Sequence, residues 1–310
     1  MILKQDKINT MKPWARFSYE GVPPLTPRER LRSILRDSYL SVAALRNHTP
    51  GGLRCIYCHY VFDDQIADFR RICATLVTMG KFVDSDTCLS MLRGEMPIDG
   101  SYYHLSFDDG FRNILNNAVP ILNDFSIPAT IFVPTAMVEA DYETIRRYCV
   151  KTTRYAAPIE VLTWRDLAEL QRAGFTIGSH TRTHARFSTL RGPDLQDEIA
   201  LSKAELEQKL GSECRYISWP YGTLSDASDE ALAFVRKSGY SGCFGSYRGA
   251  VRPRSTDPFS IPRHHFEPSW PLSHVRLFAT GGLELRSGKS GHSRTAVPLG
   301  GGGARDSLGG

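Results

Sequence analysis

Residues 102–124 read YYHLSFDDGFRNILNNAVPILND, in which an apolar strand-like run is followed at once by a helix-like pattern. The same change of period repeats along the chain. It predicts strands at about 54–60, 102–107, 129–134, 175–179, 215–219, 240–245 and 259–265. It predicts helices at about 65–79, 112–124, 163–173, 194–210 and 226–238. Such alternation requires parallel strands joined by right-handed crossovers, so we predict an α/β fold, either a doubly wound sheet or a barrel.

The two ends of the chain differ in composition from this alternating middle. Residues 1–50 contain Pro-rich turns and one predicted helix at about 28–46. The apolar residues of this helix that could dock on a neighbouring element are Leu31, Ile34, Leu35 and Leu40. Residues 287–310 include eight glycines and almost no large apolar side chains, so we predict a disordered tail. We therefore divide the chain into an N-terminal extension (1–50), one main domain (51–280) and a Gly-rich tail (281–310).

The net charge of +5 comes from the C-terminal part of the chain. Residues 241–310 contain nine Lys and Arg against four Asp and Glu, whereas residues 1–240 balance at 29 against 29. A main domain without net charge is a poor electrostatic match for nucleic acid. We predict no nucleic-acid partner, with weak peripheral contact of the basic end to an anionic membrane surface as a lesser option. The sequence does not indicate an oligomeric state.

Apolar runs and cysteines suggest the compartment. No run approaches the ~20 apolar residues that cross a bilayer, and the first residues lack the apolar core of a signal peptide. The seven cysteines are an odd set scattered through periodic segments, which favours reduced, buried thiols. Cys55 and Cys58 form a CxxC without the second pair that a zinc site needs, so packing is the favoured interpretation. These features predict a cytoplasmic protein.

Reactive side chains follow two of the predicted strands, at the ends where α/β folds place their chemistry. Asp108 and Asp109 follow the second strand, and adjacent carboxylates are costly there unless they share a cation or a proton. His180 and His184 follow the fourth strand and could bind one ion as neutral imidazoles. The competing interpretations are an ordinary Asp-Asp-Gly turn and a chance histidine spacing. One carboxylate with two histidines leaves coordination positions open, which is typical of a catalytic metal.

A rigid corner follows the fifth strand, at Trp219-Pro220-Tyr221-Gly222. Such a corner can point a main-chain N–H at an oxyanion, although an ordinary tight loop is the alternative. We expect Trp219, Pro220 and Tyr221 to contact substrate. His59, which ends the first strand, could line the same mouth, and a buried, hydrogen-bonded histidine is the competing interpretation.

The order and the amino-acid sequences of these segments resemble those of a known family. Ser106-Phe107-Asp108-Asp109-Gly110, the segment from His180 to His184, and Trp219-Pro220-Tyr221-Gly222 resemble the first three motifs of the polysaccharide deacetylases. These are the carbohydrate esterases of family 4, related to nodulation-type chitooligosaccharide deacetylases. The likeness runs from about Leu53 to about Trp270. It implies a distorted (β/α) barrel of about seven parallel strands that hydrolyses N-acetyl groups from an N-acetylated sugar, oligosaccharide or polysaccharide.

The resemblance also implies one divalent metal ion, with zinc expected and cobalt, nickel, iron or manganese as alternatives. By carry-over, the metal ligands would be Asp109, His180 and His184. Asp108 would be the general base, and the main-chain N–H of Tyr221 would hold the oxyanion.

This chain departs from the family pattern at three places. The family's third motif often begins with an arginine that steadies the base, but Ser218 stands at that position, so the partner of the base is not identified. The fourth motif is missing from its expected region. For the histidine acid of the fifth motif, the best candidates are His264 and His265, and at most one should point into the site because a strand alternates its faces.

Two other functions compete with carbohydrate N-deacetylation. The same fold and metal could hydrolyse a non-sugar amide or a cyclic imide, and release of acetate from N-acetylglucosamine oligomers would separate these substrates. Alternatively, the chain could be a catalytically inactive carbohydrate-binding homologue, which would bind metal without turnover.

Overall fold

The computed structural model describes residues 51–282 and 284, together with isolated positions before them (16, 17, 27, 31, 34, 35, 38–40 and 42). Eight strands form one sheet within these residues. They are β1 Gly52–Cys58, β2 Lys81–Phe82, β3 Ser101–Phe107, β4 Ala129–Val133, β5 Thr176–Ser179, β6 Tyr216–Ser218, β7 Gly242–Phe244 and β8 Arg263–His265. All strand pairs are parallel, in the order β7-β6-β5-β4-β3-β1-β8, with the short β2 paired to β3.

The seven strands of this order form a nearly closed barrel. A parallel bridge between Phe244 and Ile261 brings β7 beside the chain that leads into β8. Hydrogen bonds between Cys243 and Ile261, and from Gly245 N to Ile261 O, extend the same contact. The barrel is therefore the architecture that the chain adopts, rather than the open doubly wound sheet.

Helices surround the barrel, all of them on its outer face except α2. They are α1 Ile66–Met79, α2 Ser85–Arg93, α3 Asn113–Asn117, α4 Val119–Asp124, α5 Tyr142–Arg147, α6 Trp164–Arg172, α7 Pro193–Leu195, α8 Leu201–Leu210, α9 Asp229–Lys237 and α10 Leu272–Ala279. Wider π-type turns occupy Tyr148–Thr152 and Gln196–Ala200, and short 3₁₀ turns occupy Asp63–Gln65, Thr135–Met137 and Phe187–Thr189. The main core lies between the strands and these helices and includes Ile56, Leu105, Ile131 and Phe278.

A second core fills the inside of the barrel. Leu53 and Phe244 from the strands pack there with Cys88, Leu89 and Leu92 of α2. Helix α2 starts at an Asp84 cap, whose side chain accepts a hydrogen bond from Thr87 N. Through its packing on the strands, this helix closes the amino ends of the barrel. With one end plugged, the carboxyl ends of the strands are the open face of the barrel.

Each of the seven predicted strands is present, and so is each of the five predicted helical regions. The predicted helix at 112–124 is divided at Ala118, and the one at 194–210 contains the π-type turn. Strand β2 and helices α2, α5 and α10 were not predicted. All seven cysteines are buried and free, as expected, and Cys55 faces Cys88 rather than Cys58, with 3.7 Å between the Sγ atoms.

The predicted tail, apart from residues 281, 282 and 284, and most of the predicted N-terminal helix lie outside the described residues. Of the four docking positions, Leu40 is buried and Leu31, Ile34 and Leu35 are exposed. The proposed domain boundaries stay predictions. In the described part of the chain, no helix combines the length and the apolar character needed to cross a membrane. The cytoplasmic location stays a prediction.

Candidate active site

The carboxyl ends of four strands bring the candidate residues to the open face of the barrel. Asp108 and Asp109 follow β3, and His180 follows β5. His59 follows β1, and His265 is the last residue of β8. Residues from widely separated parts of the chain therefore meet at one end, as parallel topology requires.

Asp109, His180 and His184 converge on one point. The Nε2 atoms of His180 and His184 lie 3.6 and 3.3 Å from Oδ1 of Asp109. One ligand atom from each of the three buried residues lies within 4.8 Å of the others. Asp109 and His184 both have positive φ, 72° and 66°, a conformation that costs energy for residues other than glycine and is concentrated at functional sites. The predicted trio is thus confirmed as a spatial cluster.

The histidines of this trio are held in a form suited to metal binding. His180 Nδ1 lies 2.8 Å from the main-chain oxygen of Ser218, and this contact assigns the proton to Nδ1 and leaves Nε2 free toward Asp109. Burial lowers the pKa of His180 to about 4, so its imidazole is neutral at pH 7. The His184 ring is fixed by edge contacts with the rings of Tyr148, His180 and Tyr221.

Two buried tyrosines orient the carboxylate of Asp109. Tyr148 donates to Oδ1 at 2.9 Å, and Tyr155 donates to Oδ2 at 3.3 Å. Both belong to the segment between β4 and β5 that covers this side of the site with the apolar residues Ile145, Ile159 and Val161. Burial raises the pKa of both tyrosines well above the ordinary value, so their hydroxyls remain proton donors at neutral pH. The sequence analysis did not identify either tyrosine.

Asp108 is anchored by Arg263 of β8. Arg263 donates to Oδ1 at 2.8 Å and to Oδ2 at 2.6 Å, and the guanidinium is fully buried. It also donates to Ser106 Oγ at 2.9 Å, to Ser218 Oγ at 2.6 Å and to Gly245 O at 2.7 Å. Burial alone would raise the pKa of Asp108, but the charge and hydrogen bonds of Arg263, together with His180 and His59, outweigh burial and hold that pKa below its ordinary range.

Arg263 therefore occupies the role that the resemblance gave to an arginine at position 218. The small Ser218 side chain leaves space for a guanidinium that arrives from β8, and its hydroxyl accepts one of the arginine's hydrogen bonds. Arg263 was not identified from the sequence.

The predicted corner forms, but not all of its residues face the site. Trp219 is fully buried, and its Nε1 donates to Thr223 O at 3.2 Å. Pro220 is buried as well. The expectation that these two contact substrate stays a prediction, and the Trp219 side chain has no accessible surface in this structure. Tyr221 is 40% exposed, has φ 64°, and places its ring 5.0 Å from that of His184.

The two histidine candidates for the acid diverge. His264 is fully buried and stacks on Phe278 of α10, outside the barrel, so it does not reach the site. His265 points to the open end, where its Nε2 lies 3.1 Å from Glu267 Oε1. Its ring lies 5.0 Å from that of His59, which is partly exposed rather than sealed in the core. Glu267 was not identified from the sequence.

Comparison with known proteins agrees with this geometry. Residues 97–242 match the family model described as polysaccharide deacetylase. The Bacillus subtilis protein YxkH is 26% identical over 136 residues, which are 44% of this chain and 41% of that protein. Poly-β-1,6-N-acetyl-D-glucosamine N-deacetylase of Staphylococcus aureus is 25% identical over 169 residues, which are 51% of this chain and 52% of that enzyme.

The fold has solved counterparts. The structure of IcaB from Ammonifex degensii superposes with a TM-score of 0.63 at 23% identity and covers 76% of this chain and 100% of that one. The match spans 41% of the length of the first of these curated relatives and 52% of the second. The family match over residues 97–242 and the named relatives confirm the predicted resemblance to the polysaccharide deacetylases, and the solved structure shows the same fold.

Proposed function

We propose that the chain is a metal-dependent hydrolase that removes acetyl groups from an N-acetylated sugar polymer or oligomer. The observation that carries this proposal is the convergence of Asp109, His180 and His184 beside a second, separately anchored carboxylate, Asp108. The name of the Staphylococcus aureus relative supports an N-acetylglucosamine polymer as the substrate.

The three converging residues fit a divalent metal ion. Two imidazoles and a carboxylate suit zinc and the later transition metals, and three protein ligands leave positions for water and substrate. All three side chains are buried, and an isolated buried carboxylate is costly unless a cation compensates it. When bound, such an ion would polarise the acetyl carbonyl and make water more acidic. We propose zinc, with cobalt, nickel, iron and manganese as alternatives.

Asp108 would act as the general base. Its carboxylate lies next to the metal ligand in the chain and is held by Arg263 through both oxygens, so its orientation is fixed before substrate binds. Because its pKa lies below the ordinary range, it is ionised at neutral pH and can accept a proton from the attacking water. Arg263 is a positioning residue in this account.

The main chain at Tyr221 and a histidine would complete the reaction. Tyr221 has a left-handed conformation on the edge of the site, where its N–H would donate to the oxyanion that develops on the acetyl oxygen. The departing amine needs a proton, and His265 and His59 are the histidines on the open face that could supply it. The exposed Tyr221 ring and His59 would contact the sugar.

Replacement of the base provides the test of this function. Asp108→Asn should keep one equivalent of metal and lose acetate release from N-acetylglucosamine oligomers by about 10²-fold or more, since general base catalysis contributes about that factor. Asp124→Asn is a matched control, because Asp124 is exposed and pairs with Arg70 on the surface. A rate for Asp108→Asn within a few-fold of the parent would contradict the assignment of the base.

A further inference from the structure

A second group of possible metal ligands lies on the open face of the barrel. His59, His265 and Glu267, which we call the outer cluster, each offer one ligand atom within 4.8 Å of the other two. They come from the end of β1, the end of β8 and the segment just after β8. The outer cluster shares no residue with the group of Asp109, His180 and His184, which we call the Asp109 trio. All three members are partly exposed as residues, whereas Nε2 of His265 and Oε2 of Glu267 are themselves buried without a hydrogen-bond partner among the described residues.

The donor set of the outer cluster has a definite preference. Two imidazole nitrogens and one carboxylate oxygen favour zinc, cobalt or nickel over calcium or magnesium, which prefer oxygen ligands. His265 Nε2 and Glu267 Oε1 already lie 3.1 Å apart, and the His59 and His265 rings lie 5.0 Å apart. Small rotations of these side chains would let all three contact one ion.

Exposure makes the outer cluster a weaker site than the Asp109 trio. Its side chains are 28% exposed for His265 and 17% for Glu267, against 3 to 6% for the trio, so water competes more strongly for an ion there.

We propose that the outer cluster is a second, weaker site for a divalent transition metal, and that its occupation inhibits hydrolysis. The inhibition rests on the proposed function, because the outer cluster contains both histidines that could protonate the departing amine. A histidine nitrogen whose lone pair is bound to a metal cannot carry a proton to that amine. Excess zinc would therefore inhibit the enzyme that one zinc equivalent activates.

Zinc titration of the metal-stripped, full-length protein tests the second site directly. Calorimetry should detect a tight equivalent and a second equivalent that binds at least about tenfold more weakly. Glu267→Gln should lose the weak equivalent and keep the tight one, whereas Asp109→Asn should do the reverse. His59→Gln is a second variant of the outer cluster in case Glu267→Gln does not fold. Glu213→Gln, an exposed carboxylate 4.0 Å from Arg215, is the matched control and should bind both equivalents.

Acetate release across a range of free zinc tests the inhibition. The parent should lose activity reversibly as the weak equivalent binds, and Glu267→Gln should need about tenfold more zinc for the same fractional loss. One zinc equivalent in the parent, or two that Glu267→Gln leaves unchanged, would overturn the second site without affecting the proposed function. A weak equivalent that Glu267→Gln removes, without a tight one, would support the outer cluster and contradict the metal site of the proposed function.

Discussion

Arg263, on the last strand of the barrel, donates hydrogen bonds of 2.8 and 2.6 Å to the two carboxylate oxygens of Asp108. Asp108 follows the third strand. The two residues are 155 positions apart in the chain, and both are buried. Two hydrogen bonds from one guanidinium fix a carboxylate in one orientation, whereas the side chain of an exposed aspartate rotates freely.

Arg263→Lys should therefore impair the base while leaving the metal ligands in place. Lysine keeps the charge but cannot form the two parallel hydrogen bonds, so we expect kcat to fall about 10- to 100-fold with metal content unchanged. Arg54→Lys is the matched control, because Arg54 is another buried arginine, paired at 2.7 Å with Glu284 away from the site. Equal kcat values for the parent and Arg263→Lys would show that the orientation of Asp108 does not matter.

Tyr148→Phe and Tyr155→Phe should weaken metal binding. Each removes one hydroxyl that donates to an oxygen of Asp109, so we expect about a 10-fold loss of zinc affinity per substitution, measured by calorimetry. At saturating zinc, kcat should recover most of its parental value. Tyr102→Phe removes the same kind of hydrogen bond, to Asp99 at the opposite end of the barrel, and should leave the affinity unchanged. Unchanged affinity in both site variants would contradict the orienting role.

Gly222→Ala should destabilise the corner beside the site. Gly222 has φ 71°, and an added Cβ would overlap the side chain and main chain of Ser246. We expect a loss of about 3 kcal/mol, from the left-handed conformation and the overlap together. Gly174→Ala isolates the conformational effect, because Gly174 also has positive φ, 94°, but no atom within 4 Å of its added Cβ. Its cost should be only about 1 kcal/mol. Urea unfolding measures both, and equal losses would contradict the packing argument.

His264 should make stability depend on pH. Burial first, and then the charges of Arg248 and Arg54, lower its pKa to about 4, whereas the unfolded chain has an ordinary histidine pKa near 6.5. Below about pH 6.5 the unfolded chain binds a proton at this histidine, whereas the folded protein does not. The free energy of unfolding therefore falls as the pH is lowered from about 6.5 to about 4.

The contribution of this residue over that range is about 3 kcal/mol. His264→Gln should therefore lose less stability than the parent between pH 7 and pH 4.5, in urea unfolding of metal-free protein. The same loss in both proteins would show that His264 does not titrate as its environment requires.

The sequence was most informative about the strands and about residues at their ends. Seven strands were predicted because each is a short apolar run, and Asp109, His180 and His184 were found because strand ends converge in any parallel fold. Strand β2, with two residues, is too short to carry a pattern. Helix α2 packs inside the barrel, and its burial depends on the surrounding strands rather than on its own period.

The remaining parts of the site depend on tertiary contacts. Arg263 and Glu267 act across the barrel mouth, so nothing in their local sequence distinguishes them from other charged residues near a strand end. Tyr148 and Tyr155 lie on a connection between strands, where no period predicts which way a side chain points. The burial of Trp219 was not predicted, because an aromatic residue at a corner can either contact a ligand or pack beneath the loop, and its local sequence does not separate the two.

In the proposed function, N-deacetylation depends on a metal ion held by Asp109, His180 and His184. This dependence can be measured as acetate release from N-acetylglucosamine oligomers by metal-stripped protein, before and after addition of one zinc equivalent. We expect no detectable release from the stripped protein and recovery upon addition of zinc. Undiminished release from the stripped protein, or none after full loading with zinc or any of the alternative ions, would contradict it.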